Sequence, residues 1–392
     1  MVGGQRIDFN LFLAHDRRLE QLFTAALVEA APDVVHFNHL LGLSPRFVAI
    51  ARRLRVPVVI SLHDFYFACP RVHLQKESGE LCAGPDAGRE CARTCFAGVG
   101  GDPADPALRW GLRALYYRRL LALAHRLVSG SRYVASYFER FAPGNMPIRV
   151  IPNGVPLEEL APLLPDLPAP PRRGGALNLA YCGTVVPHKG IHVILDALRI
   201  ADLGPVDLLV LGRVPEETGI PEYVQGLRDR AAEIPGLTLR VHGAFPRDEF
   251  PFLLGDRDFV VVPSLVPEAG PQVPREALAQ GVPVLVSRLG ALPETISEGD
   301  NGLAFDPRRP EELAALLRRV RQEEGLLSRL REGARRTPVV TVADHAAAVR
   351  AVYQEAGAAA LREGAAPAAD LAEANFLHEA LVGVGFAGTK AG

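Results

Sequence analysis

Two carboxylates, Glu268 and Glu276, stand around Gly270-Pro271 in PSLVPEAGPQVPREALAQGVPVLVS (263–287), between two valine-rich runs. Ionised carboxylates only accept hydrogen bonds, so such a pair suits different hydroxyl groups of one polyol or sugar. The stretch between the runs reads as a short helix. It opens at Gly270-Pro271 or at Pro274, where a first-turn proline misses no helical bond, and Gly281 suits the left-handed position after its last turn. A helix N-terminus at the carboxyl end of a parallel strand turns unpaired N–H groups and the positive end of its dipole toward an anion, phosphate above all. For Glu276 the alternative is dipole complementation in a first turn. Glu268 precedes the helix beside Gly-Pro, with no evident partner, and is the stronger functional candidate.

A second constellation is YCGTVVPHKG (181–190): a strand ending at Gly183, a loop, and Lys189-Gly190 opening a helix. A lysine at a helix start can meet phosphate as a compact point charge. It is no Walker A loop, in which Gly-Lys-Ser/Thr run in that order; the alternative is a surface lysine. Cys69, Cys82, Cys91 and Cys95 crowd one stretch, CPRVHLQKESGELCAGPDAGRECARTC, and could close a tetrahedral zinc site. Their spacing is not that of paired short knuckles, and free or buried thiols are the alternative. The arginine-rich amphipathic segment WGLRALYYRRLLALAHR (110–126) could rest on a membrane carrying a lipid-linked acceptor, or be a solvated helix.

These residues need a frame. Short apolar runs recur at PDVVHF (32–37), VPVVISLH (56–63), RLVSGS (126–131), IRVIPNG (148–154), LNLAYCG (177–183), VDLLVLG (206–212), LTLRVHG (237–243), DFVVVPS (258–264) and VPVLVS (282–287). Continuous rather than alternating apolar runs predict strands covered on both faces by helices, hence parallel, doubly wound, Rossmann-like α/β sheets. Ile191, Ile194, Leu195 and Leu198 fall at helical spacing between two of them. The proline-rich stretch 156–176 can continue neither helix nor sheet and predicts a linker. It divides a first domain, 1–155, from a second, 177–340; a ligand is expected in the cleft between them, at carboxyl ends of strands. Beyond lie helical segments at 311–330 and 343–356, the latter expected to pack back on the first domain within 341–357. An Ala/Gly-rich tail, 358–392, follows, with one helix around Leu371 to Leu381.

In combination, Gly183 with Lys189-Gly190, VHGAF (241–245), Asp258 before a strand, PS (263–264), Glu268 and Glu276, GVPV (281–284), GALPE (290–294) and NGLAF (301–305) resemble the retaining glycosyltransferases of family 4, which have the GT-B fold. PDVVHFNHLLGLS, VVISLHDFYFACPR, SGSRYV and VIPNGV resemble that family's first domain. The resemblance runs from about Pro32 to Ala356. It implies transfer of a hexose-type sugar, with retention, from a nucleotide-diphosphate sugar to a glycan, lipid or small-molecule acceptor. No metal or other cofactor is required by that scheme. By matching motif positions, Lys189 would bind the donor diphosphate beside Gly183 and Thr184, Glu276 the ribose, and Glu268 the transferred sugar. Backbone groups around Gly270, Pro271, Gln272 and Val273 would assist, and His63, ending a first-domain strand, would face the sugar; a His-Asp pair capping that strand end is the alternative.

Two departures from the family pattern stand out. Thr184 occupies a position where the family commonly has arginine, leaving Arg213 as the only substitute cation in view. Family members also open with a strand, a glycine-rich loop and further strands before a PDVVH-like segment, here at residue 32. The first domain is therefore expected to be truncated. That leaves rival readings: a donor-binding protein without turnover, a GT-B nucleotide-sugar epimerase, and a zinc-organised interaction module.

Composition limits the remaining choices. The chain has 392 residues, 48% hydrophobic and 22% charged, enough for two full cores. Its net charge of −2 gives no electrostatic reason to bind nucleic acid. MVGGQRIDFNLFLAHD lacks the pattern of a secretory leader, and five cysteines are too few for a disulfide scaffold. A cytoplasmic protein is expected, with the inner face of the membrane as an alternative station; cell-envelope polysaccharide synthesis would suit it.

Overall fold

In a computed structural model, residues 16–97, 105, 107–142, 148–157, 175–214, 221–363 and 368–385 are described. The MVGG start and most of the proline-rich stretch, 158–174, lie outside them. The chain divides into two compact units: one running to Pro152 and resuming at Ala346, the other Asn153–His345.

The first unit holds a parallel sheet of β1 (Val35–Phe37), β2 (Val58–Leu62), β3 (Arg126–Ser129) and β4 (Ile148–Val150), in that spatial order. Every residue of β2 is buried, as a central strand covered on both faces requires. Helices α1 (Arg17–Ala30), α2 (Arg46–Arg53), α3 (Leu108–Ala122) and α4 (Arg132–Phe141) connect and cover these strands. Two have side-chain caps. Asp16 accepts the N–H groups of Arg18 (2.8 Å) and Leu19 (3.1 Å) at α1, and Ser131 accepts that of Val134 (3.3 Å) at α4.

The second unit is a six-stranded parallel sheet in the order β10-β9-β8-β5-β6-β7: β5 (Leu177–Cys182), β6 (Val206–Leu211), β7 (Leu237–Gly243), β8 (Phe259–Val262), β9 (Val284–Ser287) and β10 (Gly302–Phe305). Nine of the ten strands in the two units coincide with the nine apolar runs. The tenth, β10, is a short segment beginning with glycine. Alternate residues of β5 enter opposite cores: Leu177, Leu179 and Tyr181 on one side, Ala180 and Cys182 on the other. Helices α5 (Ile191–Ala201), α9 (Pro310–Gln322) and α10 (Leu326–Arg336) cover the first face, with α6 (Pro221–Ala232) contributing Leu227 and Ala231. Phe250 and Leu254 of α7 (Phe250–Leu254), Ala277 and Leu278 of α8 (Val273–Ala279), and Ala334 of α10 fill the second. Both faces are therefore closed. At this burial, truncating Leu179 to alanine costs about 2–5 kcal/mol.

The last two helices belong to the first unit. In α11 (Val342–Glu363), Val352 and Ala356 pack on Val59, Val128 and Ile151, and Tyr353 Oη meets His36 Nδ1 at 2.9 Å. Glu355 bridges Arg126 (3.1 Å) and Arg149. In the Ala/Gly-rich stretch α11 continues to Glu363, and the helix expected around Leu371 to Leu381 is the longer α12 (Ala368–Gly385), packed along α3 with Ala374, Leu377, His378 and Leu381 buried. Arg119 and Glu373 tie α3 to α12 at 2.9 Å.

Candidate functional site

Strand β5 pairs with β6 on one side and β8 on the other, so the connections run outward in opposite directions from the β5/β8 boundary. Loops diverging there leave a crevice outside the carboxyl ends, the usual place for a ligand on an open parallel sheet. The loop after β5 carries Gly183, Thr184 and Lys189, and the loop after β8 carries Ser264 and Glu268. Lys189 Nζ reaches Glu268 Oε1 at 2.6 Å, and the same oxygen accepts the Ser264 hydroxyl at 2.5 Å. Two residues separated by 79 positions thus meet beside the carboxyl ends of β5 and β8.

Tight backbone packing sets this meeting. Gly190, in the left-handed region at φ +77°, lies so close to Pro263 that a Cβ would stand 2.0 Å from its carbonyl oxygen. The Leu265 N–H donates to the His188 carbonyl at 2.8 Å, locking the two loops together. Burial, with a smaller push from Lys189, lowers the proton affinity of His188; Glu268 opposes it. From below, Ala291 N–H bonds the Glu268 carbonyl at 2.8 Å, and Gly290 fits under that loop.

Glu276 lies in the first turn of α8, which begins at Val273 with Pro274 in its first turn, inside the range expected from sequence. Its carboxylate pairs with Arg247 rather than with Lys189. Burial pushes the Glu276 carboxyl above the usual range, and Arg247 pulls it back. The two glutamates therefore have separate cationic partners. Gln272 immediately precedes α8, and its buried Oε1 has no hydrogen-bond partner among the described residues. Gly270 is close enough to Asn153 that a Cβ would meet its Nδ2 at 3.1 Å, and the Pro271 side of the loop is buried. Thr184 is exposed, and its carbonyl accepts the Tyr181 hydroxyl at 2.8 Å. Arg213 follows β6, where its carbonyl accepts the Val185 N–H at 2.9 Å.

Sequence reasoning assigned no role to Ser264, Gly290 or Arg247. The first two sit in PS and GALPE, which signalled the resemblance without a chemical duty. Arg247 follows β7 with no spacing that ties it to Glu276.

In the first unit His63 follows β2, with Nε2 at 3.2 Å from the Asn38 amide oxygen. The neighbouring carboxylate of Asp64 pairs instead with His39, at 3.1 Å. Helix α3, in the arginine-rich segment 110–126, buries Trp110, Arg113, Tyr116, Tyr117, Leu120 and Leu121. Among the described residues no helix is long and apolar enough to cross a membrane. Nor does any group of three or more His, Cys, Asp or Glu side chains among them stand arranged to hold a metal, the four clustered cysteines included. Those thiols are free, with Cys69 and Cys91 buried.

Comparison with known proteins agrees with both units. Residues 168–337 match the family described as glycosyl transferases group 1, and residues 3–159 match Glycosyltransferase Family 4. The chain is 31% identical over 199 residues to a glycogen synthase of Mycobacterium tuberculosis, covering 50% of this chain and 45% of that protein. It thus spans about half the length of that relative. It is 28% identical over 337 residues to a D-inositol 3-phosphate glycosyltransferase of Streptomyces bingchenggensis, covering 83% of this chain and 67% of the relative. Among solved structures, HepE of Anabaena in complex with UDP superposes with a TM-score of 0.62 at 18% identity, over 86% of this chain and 81% of the other.

Proposed function

Because the chain belongs to the family 4 glycosyltransferases of GT-B fold, we propose that it transfers a hexose-type sugar, with retention, from a nucleotide-diphosphate donor bound at the β5/β8 boundary. The observation that carries this reading is the Lys189–Glu268 pair, built from the two loops that diverge there.

Each partner has a use for the other only until the donor arrives. On binding, Lys189 exchanges the carboxylate for the donor diphosphate, and Glu268, still held by Ser264, accepts hydroxyls of the sugar. Glu276 accepts from the ribose. Its partial burial strengthens those bonds, while Arg247 keeps it ionised. Backbone groups from Gly270 to Val273 and the Gly183-Thr184 turn complete the donor contacts. His63 is assigned to the acceptor-binding unit.

In the transfer, the bond from the anomeric carbon to the phosphate oxygen breaks and an acceptor oxygen bonds to the same face of that carbon. The departing phosphate oxygen takes the acceptor's proton. Charge grows on the diphosphate as the bond lengthens, so a preformed cation such as Lys189 is the main source of catalysis.

Solved structures of HepE contain UDP and UDP-glucose, which makes uridine donors the first to test here. Calorimetry with a panel of nucleotide sugars, followed by transfer and hydrolysis assays with analysis of the product anomer, tests the reading. Binding with neither transfer nor hydrolysis would replace it with a donor-binding role, and an inverted product would remove the retaining mechanism.

A further inference from the structure

One carboxylate oxygen at the β5/β8 boundary serves two donors. Glu268 Oε1 accepts the Lys189 ammonium at 2.6 Å and the Ser264 hydroxyl at 2.5 Å, both short enough for charge-assisted hydrogen bonds. Ser264 is 1% exposed, whereas the Lys189 and Glu268 side chains keep 33% and 18% of their surfaces in solvent. Among the described residues neither charge has another ion-pair partner, and no donor reaches Glu268 Oε2. The partners stand on unequal supports. The Glu268 backbone is fixed from below, where its carbonyl accepts the Ala291 N–H at 2.8 Å and a Cβ on Gly290 would stand 2.5 Å from its nitrogen. Lys189 instead carries its charge on a flexible four-carbon stem. When an anion enters, the lysine is therefore the partner that moves, and the carboxylate stays where Ser264 holds it.

An arriving diphosphate has to take Lys189 from Glu268, and it then lies beside a carboxylate that has lost its cation. A bare nucleoside diphosphate brings that carboxylate nothing but like charge. A nucleotide sugar brings hydroxyl donors, and an ionised carboxylate only accepts. Both ligands carry the same diphosphate and nucleoside, so their contacts with the loop backbone and with Glu276 cancel in the comparison. What remains is the group set before Glu268. Truncating one partner of such a pair leaves the other partly desolvated and unmatched, which makes the pair a competitor for any ligand that cannot replace it.

We propose that Ser264, Glu268 and Lys189 together select the sugar-bearing donor against the nucleoside diphosphate left after transfer. Glu268 competes for Lys189 with any anion that offers no hydroxyl in return. Ser264 is a positioning residue that keeps the carboxylate in place once Lys189 has left. The selection rests on donor binding at the β5/β8 boundary and adds to it a reason for the product to leave: with the sugar gone, Glu268 regains the lysine.

The test is calorimetry on the full chain with three probes, inorganic pyrophosphate, UDP and UDP-glucose. Glu268→Gln keeps the shape and removes the competing charge, so pyrophosphate and UDP should bind about tenfold tighter than to wild type, the worth of one partly exposed charge-assisted hydrogen bond. UDP-glucose should stay within about threefold, since the amide is also a poorer acceptor of sugar hydroxyls, and its preference over UDP therefore falls. Glu276→Gln removes a carboxylate that pairs with Arg247 and should leave pyrophosphate binding within about threefold. Ser264→Ala frees the carboxylate to turn both oxygens to Lys189, so pyrophosphate should bind several-fold more weakly; in the Glu268→Gln background the same change should have no effect, whereas a merely structural serine would weaken both. No gain in Glu268→Gln overturns the proposal, as does an equal gain in Glu276→Gln, which would make the effect one of net charge. If Glu268→Gln misfolds, unchanged or tighter pyrophosphate binding by Ser264→Ala overturns it instead. Wild type that binds the probes while the variants shift nothing removes this selection alone; wild type that binds neither pyrophosphate nor UDP-glucose removes the donor site with it.

Discussion

Gly290 offers a test of how finely Glu268 is positioned. At φ +61°, a Cβ there would stand 2.5 Å from the Glu268 nitrogen, 2.6 Å from its carbonyl oxygen and 2.7 Å from the Pro267 carbonyl carbon. Ordinary contact begins at 3.4 Å, and the atoms in the way are backbone, so they cannot swing aside. In Gly290→Ala the Glu268 loop must retreat by roughly 0.9 Å, a misplacement that costs on the order of 10²-fold in rate. The left-handed backbone adds about 1–2 kcal/mol of strain for alanine, lowering the thermal midpoint by a few degrees. Glu276 stands on another element, while Lys189 is bonded to Glu268 and shares in its displacement, so donor affinity should also fall, but by less than turnover does. Steady-state transfer kinetics, donor calorimetry and a thermal melt on the same preparation separate these effects. A kcat within twofold of wild type would refute the claim that this loop's position sets turnover; an unchanged midpoint as well would refute the close packing itself.

Lys189→Met should weaken donor binding by about 30-fold: a cation about 4 Å from phosphate is worth ~4 kcal/mol at an effective dielectric of 20, roughly halved for a side chain one-third exposed. By calorimetry and kinetics, Glu268→Gln should hold donor affinity within about threefold and reduce kcat far more. Arg247→Ala removes the cation that opposes burial at Glu276, so the acid limb of donor affinity should move to higher pH in a calorimetric titration from about pH 5 to 8. His125 is buried beside Arg52 and accepts the Val58 N–H at 2.9 Å, and burial with the Arg52 charge lowers its pKa to about 4. Its neutral form is the native one, so its contribution is intact above the unfolded pKa near 6.5 and is lost as pH falls toward 4, at about 1.4 kcal/mol per unit. Denaturant melts of wild type and His125→Gln should show that slope flattened in the variant.

Sheet strands were legible because a doubly covered strand must be mostly apolar on both faces: β8 is wholly so, and β2 and β5 carry one small polar residue each, Ser61 and Asn178. The start of α8 at Val273-Pro274, one of the two places the sequence offered, and the Lys189-Gly190 turn were legible for one local reason: proline and glycine restrict where a helix begins and where the chain turns. Long-range pairings were not. Nothing in PRDEF announces that Arg247 meets Glu276, and nothing around Asp64 says that His39 rather than His63 takes its carboxylate, because sheet order decides which loops become neighbours. The C-terminal helices at 343–356 and around Leu371 to Leu381 were legible from their spacing, but their full lengths were not. Ala/Gly-rich sequence reads as a weak tail, yet small residues such as Ala356 and Ala374 let α11 and α12 lie close against the first unit.

That return of the chain bears on how the protein is made. The second unit is a continuous stretch whose core is complete once its own residues have left the ribosome, whereas the first sheet shows Val59, Val128 and Ile151 to solvent until Val352 and Ala356 arrive to cover them. About two hundred residues separate the two sets, and at ordinary rates of synthesis that interval lasts roughly 10–40 s. For that period the nascent first unit leaves these apolar residues uncovered, and its chain is complete only after all of the second unit has been synthesised.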